Sequence, residues 1–180
     1  MNHHWPFLSK EEAPPLLRVG VIERGKDWVK IKEIMTKEVV SIKPEDSARD
    51  ALDLLFKMRI SGLPVMDSQG KLVGMFTEKG VLKHILPSYV EKVGRFIYEE
   101  NPKSTHRKFA ELSNIKVSQL MRQDVVTAAE DVTLCEVARI MLTQKVRRVP
   151  VLDKNCKVVG IVAREDILKA FAREAASPHA

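Results

Sequence analysis

The side chains best able to hold a metal or attack a substrate are five histidines and two cysteines, and their spacing suits neither task. His3 and His4 adjoin each other without further ligands, and His84, His106 and His179 are scattered, so no metal is expected. Cys135 and Cys156 fit no nucleophile motif and no metal-ligand spacing, and read as reduced thiols of a cytoplasmic protein. No glycine-rich loop ends in Lys-Ser or Lys-Thr, as a phosphate-cradling loop would. Catalysis lacks a constellation to perform it, and the chain reads as a non-enzyme. Arg147 and Arg148 form a basic pair before a strand, which by itself reads as a solvated rim. The net charge of +6, from 30 basic and 24 acidic residues, mildly favours an anionic partner.

The elements that must position these residues come in duplicate. Sliding the sequence by 86 residues lays Ile31–Ile85 on Val117–Phe171 without a gap, and 11 of the 55 pairs are identical. Average composition would give about 3. The identities include Met35/Met121, Val39/Val125, Pro64/Pro150, Asp67/Asp153, Lys71/Lys157 and Gly74/Gly160. Each copy opens with a β-branched run, Val39-Val40-Ser41-Ile42 or Val125-Val126-Thr127, expected as a strand. A helix follows, announced by capping-box patterns at Ser47/Asp50 and Thr133/Glu136. Its apolar positions Ala48, Ala51, Leu52 and Leu55 recur at helical spacing, as do Leu134, Val137, Ala138 and Met141. Two apolar runs flank Asp67-Ser68-Gln69-Gly70, and two more flank Asp153–Cys156, which is the pattern of a hairpin. A last helix is expected from about Glu78 to Ile85 and from about Arg164 to Arg173. The order β-α-β-β-α, twice, makes the chain a mixed α/β (α+β) protein. Three strands and two helices cannot cover both faces of a sheet. The copies are therefore expected to pack face to face about a pseudo-twofold axis, with clefts between them.

The hydrophobic share of 44% is enough to bury a core, and no apolar run approaches the roughly 20 residues of a membrane span. The expected organisation is an arm over 1–30, a first repeat over 31–86, a helical insert over 87–115, a second repeat over 116–173 and a tail over 174–180. Pro6, Pro14, Pro15 and Gly20 make the arm irregular. In the insert, Val90, Val93, Phe96 and Ile97 share a helical face, Pro102 breaks the run, and Phe109 and Leu112 begin a second amphipathic piece.

The repeated unit resembles the CBS domain, and the two copies resemble a CBS pair, or Bateman module, of the stand-alone type. The resemblance spans 110 of 180 residues. It rests on the Ile34-Met35-Thr36 and Leu120-Met121 openings, on Leu63-Pro64-Val65-Met66-Asp67 and Val149-Pro150-Val151-Leu152-Asp153, on Gly74 and Gly160, and on Asp166-Ile167-Leu168. It implies a regulatory sensor without a catalytic cofactor. Such a sensor would bind an adenosine-containing ligand (AMP, ADP, ATP or S-adenosylmethionine) between the repeats, form a homodimer and act on a regulated protein.

The resemblance also implies where a ligand would lie. The family places a ribose-binding Asp in a Gly-h-x-Ser/Thr-x-x-Asp pattern, where h is hydrophobic. The second copy, Gly160 to Asp166, keeps the Asp and loses the hydroxyl, whereas the first, Gly74 to Gly80, keeps Thr77 and loses the Asp. One cleft would join Asp166 to Thr36, Val39, Ser41, Ile60, Ser61 and Gly62, beside Pro64. Val39 and Ile60 would sandwich the base, Thr36 and Ser41 would offer hydroxyls, and Gly62 would admit the base to the backbone. Glu165 would repel phosphates there unless Arg164 neutralised them, which tilts that cleft towards an adenosyl group whose charge lies elsewhere. The second cleft would join Thr77 to Arg122, Thr127, Arg147 and Arg148, with the arginine pair on phosphate. The competing function is a nucleic-acid-binding or protein-interaction scaffold, motivated by Lys92, Arg95, Lys103, Arg107 and Lys108 in the insert. The interleaved Glu91, Glu99, Glu100 and Glu111 and an aromatic content of 6% argue against nucleic acid.

Overall fold

A computed structural model describes residues 29–86 and 102–176. Residues 1–28 of the arm, the helical face of Val90, Val93, Phe96 and Ile97, and the end of the tail lie outside the described residues. The first repeat holds α1 (Ile31–Ile34), α2 (Ala48–Met58), β1 (Gly62–Met66), β2 (Leu72–Thr77) and α3 (Glu78–Ile85). Next come α4 (Pro102–Ala110) and a 3-10 turn (Glu111–Asn114). The second repeat holds α5 (Val117–Leu120), β3 (Ala128–Ala129), α6 (Leu134–Thr143), β4 (Arg148–Leu152), β5 (Val158–Ala163) and α7 (Arg164–Ala176). Pro102 opens α4, where its missing N–H costs nothing.

Both hairpins are built by the same side chain. Asp67 Oδ1 accepts the N–H groups of Gln69 and Lys71, each at 2.9 Å. Asp153 Oδ1 accepts those of Asn155 and Lys157 at 2.8 and 2.9 Å. The turn needs a left-handed residue, which is Gly70 (φ 76°) in one copy and Cys156 (φ 60°) in the other. The register also slips at matching points, Val65/Met66 and Val151/Leu152.

The opening strand is shorter than expected. Residues 39–41 form no strand, Ile42 makes a lone parallel bridge to Val65, and only Ala128–Ala129 pairs with β4 in the second copy. The reason is that these runs cross between two sheets. Thr36 bridges Ile161 at the edge of β5, and Arg122 bridges Met75 at the edge of β2, so each repeat lends its opening to the other's sheet. The short helices follow the same exchange. Ile31, fully buried, packs in the second core with Val137, Val149 and Val162, and Val117 packs in the first with Leu55, Leu63 and Phe76.

A methionine over a glycine closes each exchanged edge. A Cβ on Gly74 would meet Met121 Sδ at 2.5 Å, and one on Gly160 would meet Met35 Cγ at 2.7 Å. These contacts explain why both residue types recur at the 86-residue offset. Of the two expected capping boxes, that of Thr133 and Glu136 is complete and that of Ser47 and Asp50 is not. Ser47 accepts from Arg49 and Asp50 without a reciprocal bond from the short Asp50 carboxylate.

Candidate functional site

The exchange brings the start of α3 against the chain that follows α5 and against the loop entering β4. A groove of about 1000 Å³ lies between them. Thr77, Lys79 and Gly80 form one wall, Met121 and Arg122 a second, and Lys145, Arg147 and Arg148 a third, with Ser61 and Gly62 between. Thr77 closes β2 and caps α3, its Oγ1 accepting the Gly80 N–H at 3.2 Å. The positive end of that helix's dipole adds to the cationic side chains. Gly80 is required by packing, because a Cβ there would stand 2.9 Å from the Leu120 carbonyl oxygen. The position that could have carried an aspartate is used to seat α3 on α5.

Arg148 is the most constrained charge in the groove. It is half-buried, and its Nε is shielded from solvent without a hydrogen-bond partner. Burial draws the guanidinium's pKa below its ordinary value, while the carboxylates of Asp166, Glu165 and Glu78 oppose the shift. Arg164 also lines the groove, but its guanidinium donates to the carbonyls of Val146 (3.2 and 3.0 Å) and Met141 (3.3 Å). It ties α7 to the end of α6. Arg122 pairs with Asp124 at 3.2 Å, both exposed.

The groove thus gathers Thr77, Arg122, Arg147 and Arg148 from one expected cleft, and Ser61, Gly62 and Arg164 from the other. The remaining candidates stand elsewhere. Thr127 lines a separate depression of about 710 Å³ beside the two hairpin turns. Thr36 exchanges backbone hydrogen bonds with Ile161, Val39 N–H donates to the Lys37 carbonyl, and Ser41 is exposed. Ile60 packs against the first core, and Pro64 is buried in β1 with its carbonyl accepting from Ile42. Asp166 turns one oxygen inward, Oδ2 accepting the Ala163 N–H at 2.7 Å. Lys79 and Lys145 line the groove and were not singled out in the sequence. The signal available was their alignment with Glu165 and Arg59 in the other copy.

Among the described residues, no three His, Cys, Asp or Glu side chains cluster as metal ligands, and no helix is long and apolar enough to cross a membrane. The CBS domain family model matches residues 31–87 and 117–173. The protein MJ1426 of Methanocaldococcus jannaschii is 33% identical, over 78% of this chain and 90% of its own. Inosine-5'-monophosphate dehydrogenase of the same organism is 31% identical over 78% of this chain, but the match spans only 23% of that enzyme. Among solved structures, CBSX2 in complex with AMP has a TM-score of 0.62 and 25% identity, covering 81% of this chain and 98% of its own. The CBS domain pair of MJ0100, in complex with 5'-methylthioadenosine and S-adenosyl-L-methionine, has a TM-score of 0.61 and 27% identity, covering 82% of this chain and 99% of its own. Two gapless repeats, their exchanged edges and these likenesses agree: the chain belongs to the CBS-domain family and carries a CBS pair.

Proposed function

We propose that the chain is a non-catalytic regulatory module that binds an adenosine-containing ligand in the groove at Thr77 and reports its occupancy to a partner protein. The observation that carries this is the convergence of Arg122, Arg147 and half-buried Arg148 on the same groove as the start of α3. Guanidinium groups hold anionic oxygens by charge-assisted, bidentate hydrogen bonds, which are among the stronger ones. Gly62 does not admit a base to the backbone as expected, because it is buried and a Cβ there would stand 3.1 Å from Thr77 Cγ2 and 3.3 Å from the Phe76 carbonyl oxygen. The Thr77 hydroxyl, already accepting from Gly80, still has a proton to donate. The adenosyl half of the proposal is supported by AMP in CBSX2 and by the two adenosyl compounds in MJ0100.

The groove draws Thr77 and Gly80 from one repeat and Arg122, Arg147 and Arg148 from the other. A ligand bridging them favours one spacing of the repeats over another, and that difference in affinity is what a partner, or a second copy in a homodimer, would read. The nucleic-acid alternative has no comparable support. Arg107 pairs with Glu111 at 3.5 Å, Lys108 donates to the His84 carbonyl at 3.5 Å, and Lys92 and Arg95 lie outside the described residues.

Thermal shift with AMP, ADP, ATP, S-adenosylmethionine and methylthioadenosine, with GTP as control, tests the proposal. At about 100-fold over Kd a bound ligand adds roughly 2.7 kcal/mol, which at this size raises Tm by about 5–10 °C. Arg148→Met should abolish the shift while leaving the ligand-free protein at least as stable, because it removes an orphan donor and keeps the packing. No shift with any adenosine compound, or a shift that Arg148→Met leaves intact, overturns the proposal.

A further inference from the structure

We infer that the groove at Thr77 selects by phosphate number, taking an adenosine polyphosphate and rejecting uncharged or sulfonium adenosyl compounds; this deepens the proposal above and rests on it. Seven of the lining residues are basic and two are acidic. Arg122 is balanced by Asp124, and Arg164 is turned towards backbone carbonyls. Lys79, Lys145 and Arg147 are exposed at the rim, Lys83 lies beside them on α3, and Arg148 stands half-buried behind, with Glu78 as the other acid. One phosphate can satisfy Arg148 but leaves the rim cations facing one another. Each further phosphate adds charge-assisted hydrogen bonds beyond those of the single carboxylate of an amino-acid group, and a methylthio group makes none. A sulfonium, entering with net positive charge, is repelled by the same rim.

The repeat supplies an internal control for this argument. At the 86-residue offset Lys79 becomes Glu165, Gly80 becomes Asp166, Gln119 becomes Glu33 and Arg122 becomes Thr36. The excess of positive charge therefore belongs to this side of the molecule and not to the repeat as such. It is a selectivity written in exposed side chains that the core does not require.

Calorimetry on the full chain in EDTA, with GTP and inorganic tripolyphosphate as controls and with adenosine, AMP, ADP, ATP, methylthioadenosine and S-adenosylmethionine, tests the inference. ATP should bind at least about tenfold tighter than AMP, with the last two compounds weakest. Lys79→Glu combined with Lys145→Asn should narrow the ATP-to-AMP ratio to within about threefold. Both positions are exposed, and asparagine accepts the left-handed backbone at 145 (φ 53°), so an unchanged Tm confirms the fold. If methylthioadenosine or S-adenosylmethionine binds as tightly as ATP, or the double variant keeps the ratio, phosphate selection is overturned and adenosine binding stands. If GTP or inorganic tripolyphosphate matches ATP, phosphate selection stands and adenosine recognition is overturned. Silence across the whole series overturns both.

Discussion

The two helices that follow the hairpins start by opposite means. In the first repeat the N-cap residue supplies the side chain, Thr77 Oγ1 accepting from Gly80. In the second repeat the N-cap residue is Ala163, which has no polar side chain, and Asp166 reaches back to its N–H. A capping box needs both bonds, and here each repeat keeps one of them. The Ser/Thr-x-x-Asp pattern that suggests a ribose site is thus also a pattern for starting a helix. In this chain both surviving residues are already engaged in that work. What distinguishes the halves as binding surfaces is the charge around the helix starts, cationic at Thr77 and balanced at Asp166.

This comparison is sharpened first at the cores. Phe76 and Val162 are equivalent positions, both fully buried, one in each cluster. Phe76→Ala should cost about 3–5 kcal/mol and Val162→Ala about 1.5–3 kcal/mol. Because the openings are exchanged, urea melts of either variant should show one transition, and two separated transitions would mean that the halves fold independently. Next in size is the attempt to make the halves alike. Gly80→Asp places a Cβ against the Leu120 carbonyl oxygen and should cost about 1–3 kcal/mol without creating a second ligand site. Asp166→Ala should cost about 1 kcal/mol through the lost cap and leave nucleotide affinity within twofold. A loss of binding in Asp166→Ala, with Gly80→Asp tolerated, would move the ligand to the other half.

The smallest effect is a pH dependence confined to the second repeat. The hydrogen bonds from the Thr133 backbone and side chain hold the Glu136 carboxyl below its usual value of 4.5. A carboxyl with a lowered folded pKa gives stability that is present above its unfolded pKa and is lost as pH falls through the folded one. Glu136→Gln should therefore flatten part of the stability loss below about pH 4.5. Thr133→Ala should cost about 1 kcal/mol near neutral pH. An unaltered acid limb in Glu136→Gln would show that the box contributes nothing there.

Much of this was legible in the sequence because the contacts occur twice. Met35/Met121 and Gly74/Gly160 stand out as identities since each pair makes the same close approach, and Asp67/Asp153 since each builds the same turn. The hairpins and both long helices in each copy follow from pattern and capping. The exchange of openings was not legible, because Ile31 or Val117 would satisfy an apolar position in either core. The strand at 39–42 was overcalled for a related reason: β-branched residues suit extended chain whether or not a partner strand is present. The rim lysines 79 and 145 were passed over because exposed charges follow no periodicity, and only the fold gathers them.

The exchanged opening also orders events during synthesis. Ile31 donates its N–H to Val132, and Thr36 waits for Ile161. At about 5–20 residues per second, the edge that receives Thr36 is made about 6–25 s after Thr36 itself. For about the first 4–17 s of it the first sheet lacks Arg122 along β2, and until its end the helix carrying Ile31 has no complete core to enter. Completion of the second repeat, more than any property of the first, sets when the first becomes resistant to proteases and to wrong pairing with its neighbours on the polysome.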